Sequence, residues 1–206
     1  MESKQVPWTA IVLTGGTARR LGGLDKAQLR LGQRTTLGLI LDALPVEIPV
    51  LVAGPPIQTR RTVTFRAEDP PLGGPVAGLA AALPAVDTAV TCVLAVDMPW
   101  AAGLLPELVR HLVASGSDVA LPHDPDGSPQ YLCTAWLTAS LRRAVAALDT
   151  PRDAPVRALL EHQRVSDWPV PEVALPDLLD IDDEGGLERA RHRAAEPRLT
   201  NDDQGL

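Results

Sequence analysis

Residues 12–29, VLTGGTARRLGGLDKAQL, set four glycines, two adjacent arginines and an Asp-Lys pair directly behind an apolar run. That combination suits anion chemistry. Gly15, Gly16, Gly22 and Gly23 leave backbone N–H groups uncrowded, so the main chain can wrap an anion closely. Arg19 can make paired bonds to phosphate oxygens, and Lys26 supplies a point charge. A nucleoside triphosphate fits such a cradle. The stretch is not a P-loop, because no GK[ST] occurs, and its adjacent glycines do not make the GxGxxG fingerprint. A surface turn with solvated charges accounts for the glycine content equally well. A second stretch, VLAVDMPW at residues 93–100, ends an apolar run on Asp97. A carboxylate there can hold a cation, or simply cap the turn ahead of Pro99. Other chemistries find little support. No GxSxG elbow occurs, and His111, His123, His162 and His192 lack metal-ligand spacing. Cys92 and Cys133 sit in apolar runs and read as buried free thiols.

The elements that must position these groups follow from the apolar pattern. Strands are expected at 10–13, 48–54, 62–67, 89–96 and 118–122, without strict alternation, as strands covered on both faces are. Helices are expected at 35–45, at 75–85 behind Pro75, and at 103–116 ending on Gly116. A further strand is expected at 131–137, helices at 138–149 and 155–163, a last strand at 178–181 and a final helix from 184. Strands alternating with helices give a parallel α/β sheet, whose ligands bind at the carboxyl ends of the strands. Both chemical stretches fall at such ends.

The chain has 206 residues, which predicts one domain, over 6–195, followed by a polar tail at 196–206 expected to be disordered. Aromatic residues are 3% of the chain, so Leu, Val and Ala must fill the core. The net charge of −7 argues against a nucleic-acid or anionic-membrane binder and requires any phosphate site to concentrate its cations locally. No leader-like h-region and no apolar run of about 20 residues occurs, so a cytoplasmic protein is expected.

The first stretch resembles the signature loop of the GT-A-like nucleotidyltransferases. It is most similar to the molybdenum cofactor guanylyltransferases, with Gly15, Gly16, Arg20, Gly22, Gly23, Asp25, Lys26 and Leu29 in register and Thr14 in place of the usual alanine. Residues 68–83, EDPPLGGPVAGLAAAL, resemble the segment in which a helix N-terminus approaches the nucleotide. VLAVDMPW resembles the family's strand end. DPDGSPQYLCTAWL at 124–137 is similar to the acceptor-side segment, although a turn at 125–127 explains it as well. LLDIDDEGGLERA at 178–190 resembles the closing motif, with Asp180 and Asp182 aligned and residues 183–186 departing from it.

The resemblance implies a single-domain, Rossmann-like, three-layer α/β/α fold with a mostly parallel sheet. It implies transfer of GMP from GTP, or of a nucleotide from another NTP, to the phosphate of molybdopterin, with release of pyrophosphate. CTP, a sugar phosphate or another phosphorylated acceptor is the alternative within that class, and a non-catalytic nucleotide-binding module the alternative outside it. The implied nucleotide contacts are Leu13, Thr14, Gly15, Gly16, Arg19, Arg20, Lys26, Asp69 and Gly74. Lys26, Arg20 and Asp97 are the implied catalytic groups. Asp97 and Asp182 are the implied ligands of Mg²⁺, and Gln130 an implied acceptor contact. Molybdoenzyme maturation factors are implied partners.

Overall fold

In a computed structural model of the chain, residues 6–15, 25–124 and 126–195 are described. Gly16, Arg19, Arg20, Gly22 and Gly23 of the glycine-rich stretch lie outside them, as does the tail from Glu196.

The apolar run behind the glycines forms β1 (Trp8–Leu13). A hairpin of β2 (Arg30–Leu31) and β3 (Arg34–Thr35) leads into α1 (Thr36–Ala43), then β4 (Val50–Ala53), β5 (Thr64–Arg66), α2 (Pro75–Ala82) and β6 (Val90–Ala95). There follow α3 (Leu105–Ser115), β7 (Val119–Pro122), β8 (Cys133–Leu137), α4 (Thr138–Ala146), β9 (Val165–Trp168) and α5 (Glu184–Ala195). Seven strands make one sheet in the order β5-β4-β1-β6-β8-β7-β9. The pairs β1–β4, β1–β6, β4–β5 and β7–β9 are parallel, and β8 alone runs antiparallel, between β6 and β7.

Each central strand is buried on both faces, yet its side chains still alternate. Ala10 and Val12 of β1, with Val50, Val52, Cys92 and Leu94, pack under α1 and α3, which supply Leu37, Ile40, Leu105, Leu108 and Leu112. Ile11 and Leu13, with Leu51, Ala53 and Val93, pack under α2 and α4, which supply Val76, Leu79, Leu141 and Ala144. Two apolar layers sandwich the sheet, each buried Leu or Ile contributing about 2 kcal/mol. The three-layer α/β/α architecture is the expected one. A smaller cluster, Leu29, Leu31, Ile181, Leu187 and Ala190, pins α5 onto the β2–β3 hairpin.

Four local expectations are corrected. Residues 178–181 form no strand; they follow a 3-10 helix, Glu172–Leu178, and Leu178 and Ile181 are apolar because they pack into two different clusters. The last strand is β9, an edge strand reading VSDW with an exposed Val165, so it carries no apolar run to find. Residues 155–163 shorten to a 3-10 turn, Val156–Leu160, with His162 in a left-handed conformation just beyond it. The 62–67 stretch is a three-residue strand at the opposite edge, half-exposed and not buried. The β2–β3 hairpin escaped notice because two-residue strands leave no periodicity; its turn depends on Gly32 at φ +62°.

Asp118 ties three elements together. Its Oδ2 accepts from Arg164 N at 3.1 Å and Nε at 3.0 Å, and its Oδ1 accepts from Ser140 Oγ at 2.8 Å. Hydrogen bonds from Arg164 and then Ser140 pull its carboxyl pKa down to about 2 against the opposing effect of burial. A folded-state pKa below the unfolded value means stability that is present above pH ~4 and lost as pH falls toward 2. Asp118→Asn is therefore expected to destabilise the protein at pH 6 and to cost progressively less from pH 4 down to 2.5. Urea midpoints across that range check it.

Cys92 and Cys133 are free and fully buried, as the sequence predicts. Burial pushes the Cys133 thiol up to about 12 and raises the Cys92 thiol well above its ordinary range. Neither is a thiolate at neutral pH, so a thiol-reactive chromogenic disulfide should label none in the native protein and both in urea. Fast labelling of the native protein would contradict this packing.

Candidate active site

The sheet's switch point lies between β1 and β6. The chain leaves β1 for β4 on one side, whereas β6 flanks β1 on the other, and crevices at such points hold ligands. The two strand ends are joined there by Val96 N donating to Leu13 O at 3.0 Å, which puts Asp97 beside the start of the glycine-rich stretch.

Lys26 enters the same crevice from a 3-10 turn, Lys26–Gln28. Asp25 caps that turn: its Oδ1 accepts from Ala27 N at 2.9 Å and its Oδ2 from Gln28 Nε2 at 2.7 Å. The hydroxyl of Thr36, at the start of α1, donates to Lys26 O. Capping therefore gives Asp25 a local reason to precede the lysine.

The Lys26 ammonium sits between two carboxylates, 2.9 Å from Asp97 Oδ2 and 2.7 Å from Asp182 Oδ1. Its side chain is only 15% exposed, against 21% for Asp97 and 57% for Asp182. Burial works to lower the lysine's pKa, but the hydrogen bonds and charges of Asp182 and Asp97 outweigh it, and the net shift is upward. Desolvation, then the charges of Asp182 and Asp97, raise the carboxyl of nearby Asp180.

Asp182 arrives from the far end of the sequence. Next to it, Asp183 Oδ1 accepts from Gly186 N at 2.7 Å at the start of α5. The DDEGG departure thus divides the work, with Asp183 turned to the helix and Asp182 to the lysine. A side chain at Gly186 would come within 3.0 Å of Asp180 O, so the small residue fits a close approach there.

Asp97, Asp180, Asp182, Gln130, Tyr131 and Arg157 line one cleft of about 520 Å³. Gln130 and Asp180 also border a neighbouring cleft of about 790 Å³ under α5, so the two share a wall. Gln130 is held by Pro122 O, which accepts from its N at 2.9 Å, and by Asp124 Oδ2, which accepts from its Nε2 at 3.2 Å. The turn reading of this segment also holds, since Gly127 N donates to Asp124 O. Arg157, from the turn after Pro155, is a cleft residue that sequence reasoning missed; it lies in no recognisable pattern.

The other expected residues are placed less directly. Thr14 spends its hydroxyl on Ala53 O at 2.9 Å, and a side chain at Gly54 would collide with it at 2.0 Å. Its remaining contribution is main chain. Among the described residues nothing lies within 4 Å of where a side chain at Gly15 or Gly74 would start, and Gly74, at φ +85°, caps α2 in a conformation that favours glycine. Asp69 is exposed on the loop before α2, with no hydrogen bond or ion pair to the Lys26 group. Its neighbour Glu68 holds that loop, accepting from Gly73 N at 3.0 Å.

The MobA-like NTP transferase domain profile matches residues 10–167. The chain belongs to this family. Two relatives named probable molybdenum cofactor guanylyltransferase are similar to it. That of Natronomonas pharaonis is 26% identical over 90% of this chain and 97% of its own. That of Mycobacterium tuberculosis is 36% identical over 65% of this chain and 69% of its own. Molybdopterin-guanine dinucleotide biosynthesis protein A from Archaeoglobus fulgidus superposes with a TM-score of 0.65, covering 90% of this chain and 97% of that one at 22% identity. At that identity the likeness shows the fold. As a MobA-like NTP transferase the protein is an enzyme of the nucleotidyltransferase class. The family match ends at residue 167, so Asp182 is contributed from beyond it.

Proposed function

We propose that the protein transfers GMP from GTP to the phosphate of molybdopterin, releasing pyrophosphate, in the cytoplasm. The observation that carries this reading is the convergence of Lys26, Asp97 and Asp182 at the switch-point crevice. The names of the relatives supply the donor and the acceptor.

The attacking phosphate is already ionised near pH 7, so the reaction needs positioning and charge stabilisation more than a strong base. The main chain of Leu13, Thr14, Gly15 and Gly16 binds the triphosphate. Lys26 steadies the α-phosphate as charge builds on it. Arg19 and Arg20 balance the departing pyrophosphate. Gly74 allows close approach at the start of α2, with Asp69 on the neighbouring loop as a further nucleotide contact. Gln130 orients the acceptor in the cleft that it shares with Asp97.

The donor set fits a hard divalent cation. Two carboxylates already converge on one positive centre, the Lys26 ammonium, and Mg²⁺ uses one or two carboxylates together with phosphate oxygens. Asp97 and Asp182 would hold Mg²⁺, which would neutralise charge on the phosphate oxygens.

Pyrophosphate release with each of the four Mg²⁺–NTPs and isolated molybdenum cofactor tests the reading. Release with GTP alone is expected. Release with CTP, or only with a sugar phosphate, would replace the donor or the acceptor. Tight nucleotide binding with no release from any acceptor would leave a binding module. Among the described residues no helix is long and apolar enough to cross a membrane.

A further inference from the structure

The Lys26 ammonium lies between the two carboxylates proposed to hold Mg²⁺. Both carboxylate oxygens proposed to hold Mg²⁺ are within hydrogen-bond distance of the same Nζ, at 2.9 and 2.7 Å. The lysine is fixed there by more than its charge. Its turn is capped by Asp25, and its carbonyl is held by the Thr36 hydroxyl. With 15% of its side chain exposed, it is also shielded from competing water.

We propose that Lys26 is a built-in placeholder for the divalent cation, so that the free cation is excluded from Asp97 and Asp182 and the site loads only with a cation–triphosphate complex. This rests on the function proposed above. The phosphates draw the ammonium off the carboxylates, and the carboxylates, so freed, receive the cation that travels with the phosphates. Each exchange makes the other possible. The coupling is reciprocal: whatever factor the nucleotide adds to cation affinity, the cation adds to nucleotide affinity. Asp182 supplies the shorter of the two contacts that hold the lysine in this place.

Removing any positive charge from an acidic cleft raises its cation affinity, so the test needs a matched control. Arg157 lines the same cleft as Asp97 and Asp182, and no hydrogen bond or ion pair joins it to either. Mn²⁺ binding, followed by loss of the free-ion EPR signal, should be measured on the full chain without nucleotide. Lys26→Gln is expected to bind Mn²⁺ at least tenfold more tightly than the wild type, and Arg157→Gln less than threefold more tightly. Adding Asp97→Asn to Lys26→Gln should abolish the gain. Lys26→Met provides a second uncharged variant should Lys26→Gln fold poorly.

Equal gains for Lys26→Gln and Arg157→Gln, or no gain for either, would overturn the placeholder. If the wild type then still binds Mn²⁺ with a non-hydrolysable GTP analogue, the proposed function survives that result. Absence of Mn²⁺ binding from every variant, with and without the analogue, would overturn both.

Discussion

Lys26→Ala is expected to lower the rate of nucleotidyl transfer by about 100-fold or more, with the loss in kcat at saturating nucleotide. Removing one preorganised group that meets charge developing in the transition state costs about 10²- to 10³-fold. In the proposed reaction Lys26 is such a group, on a turn fixed before any ligand arrives by the Asp25 cap and the Thr36 hydroxyl. Stability should change little. The lost ion pairs face the cleft, and partly exposed pairs contribute about 1 kcal/mol or less. Circular dichroism and a urea midpoint near wild type would separate a chemical effect from unfolding. Lys26→Arg should restore only part of the rate, since a planar fork does not replace a point charge on a flexible stem. A near-normal rate for Lys26→Ala would remove the central assignment.

Asp97→Asn should reduce turnover by a similar factor, about 100-fold, through a different dependence. The amide keeps the shape of the carboxylate but loses its charge, so one of the two proposed cation ligands and one of the two carboxylates that hold Lys26 go together. The Mg²⁺ concentration for half-maximal rate should rise in Asp97→Asn, and stay near wild type in Lys26→Ala once the nucleotide is saturating. Asp182 is more exposed, at 57% against 21% for Asp97, so Asp182→Asn should cost less than Asp97→Asn. Titrating Mg²⁺ at fixed GTP for the three variants checks this order. An Asp97→Asn protein with wild-type rate and Mg²⁺ dependence would exclude it as a ligand.

These two residues were legible in the sequence for a local reason. A buried strand that runs into a glycine-rich turn, and a second that stops on Asp97, place their next residues at the carboxyl ends of a parallel sheet. The apolar runs of β1 and β6 are long enough to be read as strands, and the amphipathic spacing of Leu105, Leu108, Val109 and Leu112 marks α3. The parallel α/β sheet and the placing of Asp97 and the glycine-rich stretch at its strand ends follow from runs of this kind, whereas the layer count comes from the family resemblance.

Other features depend on partners distant in the chain, which no local pattern encodes. β9 has an unremarkable sequence and is a strand only because β7 offers it an edge. Ile181 is apolar because α5 and its approach fold back over the β2–β3 hairpin, and that packing delivers Asp182 to a lysine 156 positions earlier. The antiparallel entry of β8 sets Gln130 and Tyr131 in the cleft that Asp97 and Asp182 also line. The sequence by itself determined which chemistry the strand ends could support, because side-chain type and strand length are local properties. Only the tertiary structure decided that two carboxylates converge on one ammonium, because that position is set by the packing of α5 on a hairpin too short to announce itself.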